Sequence, residues 1–308
     1  MVLLDLLPLF LLAAAIWSVL WTLAIYRGLS RPHRRAAGWA LAHDLPADPA
    51  GFGLEFQELA IPLSDGKHAP AWLVKGRATA APVLVVCHGW SESRYVMLKR
   101  LPLWSELFSA VLLYDLRAHG DSPHRTCGGG SPEADDLRAI LEQLPAHLTD
   151  TRPIVLLGLS MGASIAMQAV ARDDLSPKPI ALIAEGAYRH RLTPVAGYLR
   201  QRRWPTWPFV NLVGLYMSLF PTRFGPLDNL PRMEKVTLPI LFIHGQLDAM
   251  CPLADVQALV QHAPSARCVI FRGADHLNMA EIDPRIYQSA IQDFLQSLKQ
   301  PQSPTPNP

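Results

Sequence analysis

The sequence predicts an α/β fold in which a mostly parallel sheet is covered by helices on both faces. One pattern and one motif predict it. Short strand-type runs, apolar except for Arg267, at 82–87, 110–114, 154–158, 180–184, 240–243 and 267–271 alternate with helical stretches. Strands apolar on both sides belong to a sheet buried on both faces, and alternation with helices makes neighbouring strands parallel. The motif is Gly158-Leu159-Ser160-Met161-Gly162, which stands between one such strand and an Ala- and Met-rich helical run at 161–171. A strand-to-helix corner of this kind projects the serine hydroxyl above the sheet edge, and the flanking glycines let neighbouring backbone pass close.

The 308 residues suffice for one large domain with an appendage. Half are hydrophobic and 18% are charged, which suits a sizeable core and some membrane contact. A net charge of +2 gives no footprint for nucleic acid. Cys87, Cys127, Cys251 and Cys268 form no CxxC and no metal-ligand spacing, so they read as free thiols of a reducing compartment. No metal site is expected.

Residues 6–26 are apolar and uncharged, with Trp17, Trp21 and Tyr26 towards one end. About 20 such residues span a bilayer, and interfacial aromatics favour its edges. A cleaved signal peptide fits poorly: no basic n-region precedes the run, and arginines follow where small residues would be needed. A helix buried in the core is the alternative. Arg27, Arg31, Arg34 and Arg35 follow the stretch, against Asp5 on its other flank, so the positive-inside rule places the body on the cytoplasmic side. The expected organisation is an anchor at 1–26, a basic juxtamembrane segment and linker at 27–53, a main domain at 54–299 and a disordered Pro-rich tail at 300–308.

Within the main domain, strands are expected at 54–63 and 69–75, joined by Ser64-Asp65-Gly66, and helices at 94–108, 253–261 and 284–298. A serine hydroxyl needs a base to take its proton and an acid to orient that base. In this topology nucleophile, acid and base follow in that order at strand carboxyl ends. The 240–243 strand leads to Asp248 and the 267–271 strand to His276, so Ser160, Asp248 and His276 stand in order and in place. Asp275 adjoins His276 and reads as a loop residue. The Met161 amide, and the Trp90 amide in the His88-Gly89-Trp90 loop, are the expected oxyanion donors. His88 and His119 read as structural.

These residues resemble the α/β-hydrolase superfamily. His88-Gly89, Asp115-x-Arg117-x-His119-Gly120-x-Ser122, Gly158-x-Ser160-Met161-Gly162, His244-Gly245-x-x-Asp248 and Asp275-His276 occur in that superfamily's order across residues 54–298. The chain is most similar to its esterase, lipase and serine-aminopeptidase group, with Ala118 where that group usually has Gly. The resemblance implies an α/β-hydrolase fold and acyl transfer to water through an acyl-enzyme, without metal or organic cofactor. It also implies a cap inserted at 186–235. That segment is aromatic in Trp204, Trp207 and Phe209 and basic in Arg189, Arg191, Arg200, Arg202 and Arg203. Trp204, Trp207 and Phe209 are candidate walls of an acyl pocket; otherwise the segment dips into headgroups or simply covers the sheet.

The expected activity is therefore a membrane-anchored serine hydrolase acting on a small-molecule acyl ester, with lipid-like or thioester acyl groups open. An acyltransferase or small-amide hydrolase on the same three residues is the near alternative. A binding protein of the same fold, without catalysis, is the distant one. Oligomeric state is not legible from the chain.

Overall fold

Eight strands form one sheet in a computed structural model that describes residues 2–299. The expected tail at 300–308 lies outside the described residues. The strands are β1 (Phe56–Pro62), β2 (His68–Lys75), β3 (Val83–Cys87), β4 (Ala110–Tyr114), β5 (Ile154–Leu159), β6 (Ala181–Glu185), β7 (Ile240–Gly245) and β8 (Ala266–Phe271). Their order is β1-β2-β4-β3-β5-β6-β7-β8. The β1–β2 and β2–β4 pairs are antiparallel and the remainder parallel. β3, β5, β6 and β7 are buried along their whole length, as their Val, Leu and Ile content requires of strands covered on both sides. The order turns back at β3, and crevices at such reversals lie outside strand carboxyl ends.

Two apolar layers cover the sheet. One joins it to α5 (Ser131–Gln143), α6 (Met161–Val170) and α11 (Leu253–His262) through Leu137, Ile165 and Val256. The other joins it to α3 (Arg94–Met97), α4 (Leu101–Ser105), α12 (Met279–Ile282) and α13 (Pro284–Ser297) through Trp104, Tyr287 and Phe294. α13 starts where the Asp283 carboxylate accepts from the Ile286 amide, with Pro284 in its first turn. The single helix expected at 94–108 is two. Pro102 has no N–H to continue a helix and instead opens the first turn of α4.

The stretch at 36–53, expected as linker, carries α2 (Ala37–Leu41) and a 3-10 turn at Pro49–Phe52. Ala40 is fully buried there against the α13 side of the sheet. The preceding arginines are partly engaged as well. Arg34 donates to the carbonyls of Ser122 (2.7 Å) and His124, and Arg35 lies over the Trp39 ring at 5.0 Å. Arg27 and Arg31 are exposed.

α1 (Val2–Ser30) is long and apolar enough over Leu6–Ser30 to cross a membrane. Its outer face, including Leu9, Phe10, Leu12 and Leu20, is exposed. Its second half packs on the segment between β6 and β7, which folds as α7 (Thr193–Gln201), α8 (Phe209–Leu219), α9 (Pro221–Phe224) and α10 (Leu230–Met233). Trp17 meets Phe209 edge-on at 5.4 Å, Trp21 meets Trp204 at 5.5 Å, and Tyr26 meets Tyr216 at 4.7 Å. A separate apolar cluster results, built from Ile25, Leu199, Phe209, Val213, Met217 and Phe224.

Candidate active site

Ser160 occupies the corner between β5 and α6 with φ 50° and ψ −108°, a conformation that costs an L-residue energy and persists only where surroundings enforce it. They do so tightly here. The Ser160 amide donates to the Glu185 carbonyl at 2.8 Å. A Cβ on Gly162 would sit 1.9 Å from the Cys87 carbonyl oxygen, and one on Gly158 2.5 Å from Ala163 Cα. Only glycine at both positions lets α6 start this close to β3 and β5.

The two partners expected from strand ends meet the serine. Ser160 Oγ lies 2.9 Å from His276 Nε2, and His276 Nδ1 lies 2.7 Å from Asp248 Oδ2. The second Asp248 oxygen accepts from the amides of Met250 (2.9 Å) and Cys251 (2.7 Å). Asp248 is thus buried, hydrogen-bonded on both oxygens and fixed in orientation. His276 Nδ1 donates to the carboxylate, which leaves Nε2 free to accept from the serine hydroxyl. Asp275 is spent on the loop itself, accepting from the amides of His276 (2.7 Å) and Ala249 (3.3 Å).

A buried ionic cluster, not anticipated from sequence, braces this arrangement. Arg100 Nη1 donates to Glu185 Oε2 at 2.6 Å, and Arg100 Nη2 donates to the Leu277 carbonyl. Glu185 also accepts from the Tyr287 hydroxyl. One guanidinium therefore links the residue that accepts from the Ser160 amide to the residue following His276. Nothing in the sequence near Arg100 marks it, because its partners lie 85 and 177 positions away.

The expected oxyanion donors fall on the same wall. Trp90 and Met161 line one cavity with Ser160. Among the described residues, the backbone amides of Trp90 and Met161 donate to no backbone carbonyl. The Trp90 loop is held by the Gly89 amide donating to Glu92 at 2.7 Å. His88 and His119 stitch the scaffold behind it. Each accepts an amide on Nε2, from Leu116 and Ser91 respectively, and donates from Nδ1 to a carbonyl. Burial holds His88 well below its ordinary value and brings His119 down to about 4, so both are neutral.

The cavity has a volume of about 130 Å³ and mostly apolar walls. Tyr198, Val213, Met217 and Phe224 come from the cap, and Tyr26, Leu29 and Ser30 come from the end of α1. The α1 residues were not foreseen. The Leu29 carbonyl accepts from Trp90 Nε1 at 2.8 Å, and the Ser30 carbonyl accepts from the Cys127 amide at 2.9 Å. Trp204, Trp207 and Phe209, expected as pocket walls, lie elsewhere. Phe209 and Trp204 face α1, and Trp207 is 77% exposed. Aromatic content says nothing about which face of a helix turns inward. Arg191, one of the basic residues of the segment, is on the cavity wall and only 6% exposed.

Asp248, Cys251 and His276 bring possible metal-ligand atoms within 4.8 Å of one another. They do not suit an ion. Asp248 is committed to His276 and two amides, and burial pushes the Cys251 thiol well up, keeping it protonated.

Residues 83–287 match the model of the alpha/beta hydrolase family. The chain is 27% identical over 218 residues to the uncharacterised protein YqkD of Bacillus subtilis, covering 70% of this chain and 71% of that protein. It is 25% identical over 266 residues to a pimeloyl-[acyl-carrier protein] methyl ester esterase of Neisseria meningitidis, covering 71% and 96% of the two. A solved esterase of Pyrococcus furiosus superposes with a TM-score of 0.70 at 20% identity, over 87% of this chain and 98% of that one. At that identity the likeness concerns the fold. With the matched residues running from β3 to α13, the chain belongs to the alpha/beta hydrolase family.

Proposed function

We propose that this protein is a serine hydrolase that cleaves a carboxylic ester, held at a membrane by α1. The observation that carries the reading is the continuous chain Ser160–His276–Asp248, with contacts of 2.9 and 2.7 Å, facing an apolar cavity. His276 Nε2 takes the hydroxyl proton as Ser160 Oγ attacks the acyl carbon. Asp248 stabilises the imidazolium that forms. The Met161 and Trp90 amides receive the charge growing on the carbonyl oxygen. His276 returns the proton to the leaving alcohol, water attacks the acyl-enzyme by the same route, and the free acid departs. Oxyanion donors of this kind are worth roughly 3–4 kcal/mol each.

The apolar cavity favours a hydrocarbon acyl group, and the curated relative named as an ester hydrolase supports ester over amide chemistry. For the anchor, the support is the exposed apolar length of α1 and the two arginines at its end, Arg27 and Arg31, which stay clear of the body. That flank favours a body on the cytoplasmic side.

A fluorophosphonate probe tests the reading directly, since it reacts only with an activated serine. Membranes holding the wild type are expected to label at this chain, and Ser160→Ala is expected to remove the label. A folded wild type that resists several probe sizes sinks the proposal.

A further inference from the structure

Arg191 stands in the cavity wall with 6% of its surface exposed. Its Nη2 donates to the Gly128 carbonyl at 2.6 Å, while Nη1 is buried without a hydrogen-bond partner. Among the described residues no carboxylate lies within 4.0 Å of the guanidinium. Buried Glu133 is close enough to influence it, after the Tyr188 phenol, but its two oxygens are turned instead to the amides of Gly128 and Gly130, each at 2.8 Å. Buried guanidinium groups are ordinarily paired, because desolvating an unpaired charge is costly.

The loop Gly128–Gly130 holds this charge on the wall of the cavity that Ser160 also lines. A Cβ at Gly129, where φ is +60°, would lie 3.1 Å from the Met161 side chain and 3.5 Å from Arg191 Nη2. Met161 is the residue after the candidate nucleophile. Most other walls, among them Tyr26, Leu29, Val213, Met217 and Phe224, are apolar or aromatic. A cavity with hydrocarbon walls and one unpaired cation matches a substrate of the same make-up.

We propose that Arg191 is a specificity-determining residue that selects an acyl ester carrying an oxyanion, carboxylate or phosphate, in addition to its hydrocarbon portion. This rests on the hydrolase reading above. The substrate's anion pairs with the guanidinium at the cavity wall, a turn of the side chain bringing it the unpartnered Nη1, and the hydrocarbon lies between the end of α1 and the cap. The anion sits either at the far end of the acyl chain or on the leaving alcohol.

Two substrate pairs separate these sources, assayed on detergent-solubilised full-length protein. The first is the p-nitrophenyl half-ester of a medium-chain dicarboxylic acid against its ω-carboxamide. The second is the same acyl group on phosphoglycerol against glycerol. In at least one pair, wild-type kcat/KM is expected to favour the anionic member by about tenfold or more, the scale of a hydrogen bond to a charged group. Arg191→Gln is expected to collapse that ratio, and Arg191→Lys to restore part of it. Fluorophosphonate labelling of each variant shows whether the serine remains assembled. A merely structural role lowers both members of a pair alike and leaves the ratio standing, which overturns the proposal. Cleavage of neutral esters with no anionic preference in either pair overturns it too, and leaves the hydrolase intact. If no Ser160-dependent cleavage or labelling occurs at all, the hydrolase reading falls, and this inference with it.

Discussion

His88 and His119 sit wholly buried behind the candidate oxyanion loop, and their neutrality has a consequence for stability. In the unfolded chain each takes a proton near pH 6.5, whereas in the folded protein His119 waits until about 4 and His88 is likewise held well down. Between those values the unfolded state binds more protons, so stability is full above about 6.5 and is lost as pH falls towards 4. His119 alone accounts for about 3 kcal/mol over that range. Buried Asp115, raised to about 6, works the other way: it keeps a proton in the folded state and costs stability as pH rises from 4 to 6. Buried Glu92 and Asp136, also raised by burial, act with Asp115, while His244, held down by burial, acts with the other histidines. Relative to the wild type, His119→Gln is therefore expected to lose less melting temperature between about pH 7 and about pH 5. An equal loss in the two solubilised proteins contradicts the assignment. At this scale, residues whose role depends on local geometry were legible in the sequence. The positions of Ser160, Asp248 and His276 follow from a strand end and a short loop apiece, and the structure brings the three together. Arg100 and Arg191 were not legible, because burial of an arginine is decided by segments far away in the chain.

Close backbone contact, together with the apolar packing of α6, holds the elements around the corner. α6 starts against the Cys87 and His88 carbonyls, with Gly162 at the crossing. Ala at 162 forces a methyl carbon into an oxygen at 1.9 Å, which only a shift of the whole helix can relieve. Gly162→Ala is thus expected to abolish folding or labelling, whereas Gly38→Ala, which meets nothing within 4 Å, is expected to leave both unchanged. Measuring the yield of labelled protein for the pair checks this. Equal yields would mean that the helix start is softer than its packing suggests. Strand-type runs were legible as strands because full burial on both faces leaves an unbroken apolar signature. The 94–108 region was misread as one helix, since its apolar spacing continues across Pro102 while its hydrogen bonding does not. The cap's aromatic residues were legible as apolar surface, but their partner was α1, and contacts between distant helices leave no periodic trace.

At the scale of the molecule, the N-terminal helix is both the apolar extension of the fold and a wall of its cavity. A removable leader has no need of specific contacts, yet α1 ends in several. Trp90 grips the Leu29 carbonyl, Cys127 the Ser30 carbonyl, and Trp17, Trp21 and Tyr26 lie on cap aromatics. Loss of residues 1–26 would remove Tyr26 from the cavity and uncover Phe209, which is 1% exposed with α1 in place. The helix is therefore expected to be retained in the mature protein. The rest of α1 presents leucines, phenylalanine and valine to its surroundings over more length than the cap covers, and burying them in hydrocarbon stabilises by about 25 cal/mol per Å². The full chain is therefore expected to stay in the membrane pellet through alkaline carbonate and to leave it only with detergent. Mass spectrometry of that material should recover peptides from 6–26. With the arginines on the cytoplasmic side, protease added to inside-out vesicles should digest the body, while right-side-out vesicles protect it. A mature chain beginning after residue 26 would remove the apolar helix and, with it, the Tyr26 part of the cavity wall. Protection in the opposite vesicles would keep both and reverse the orientation alone, because the cavity's construction does not depend on which side of the membrane it faces.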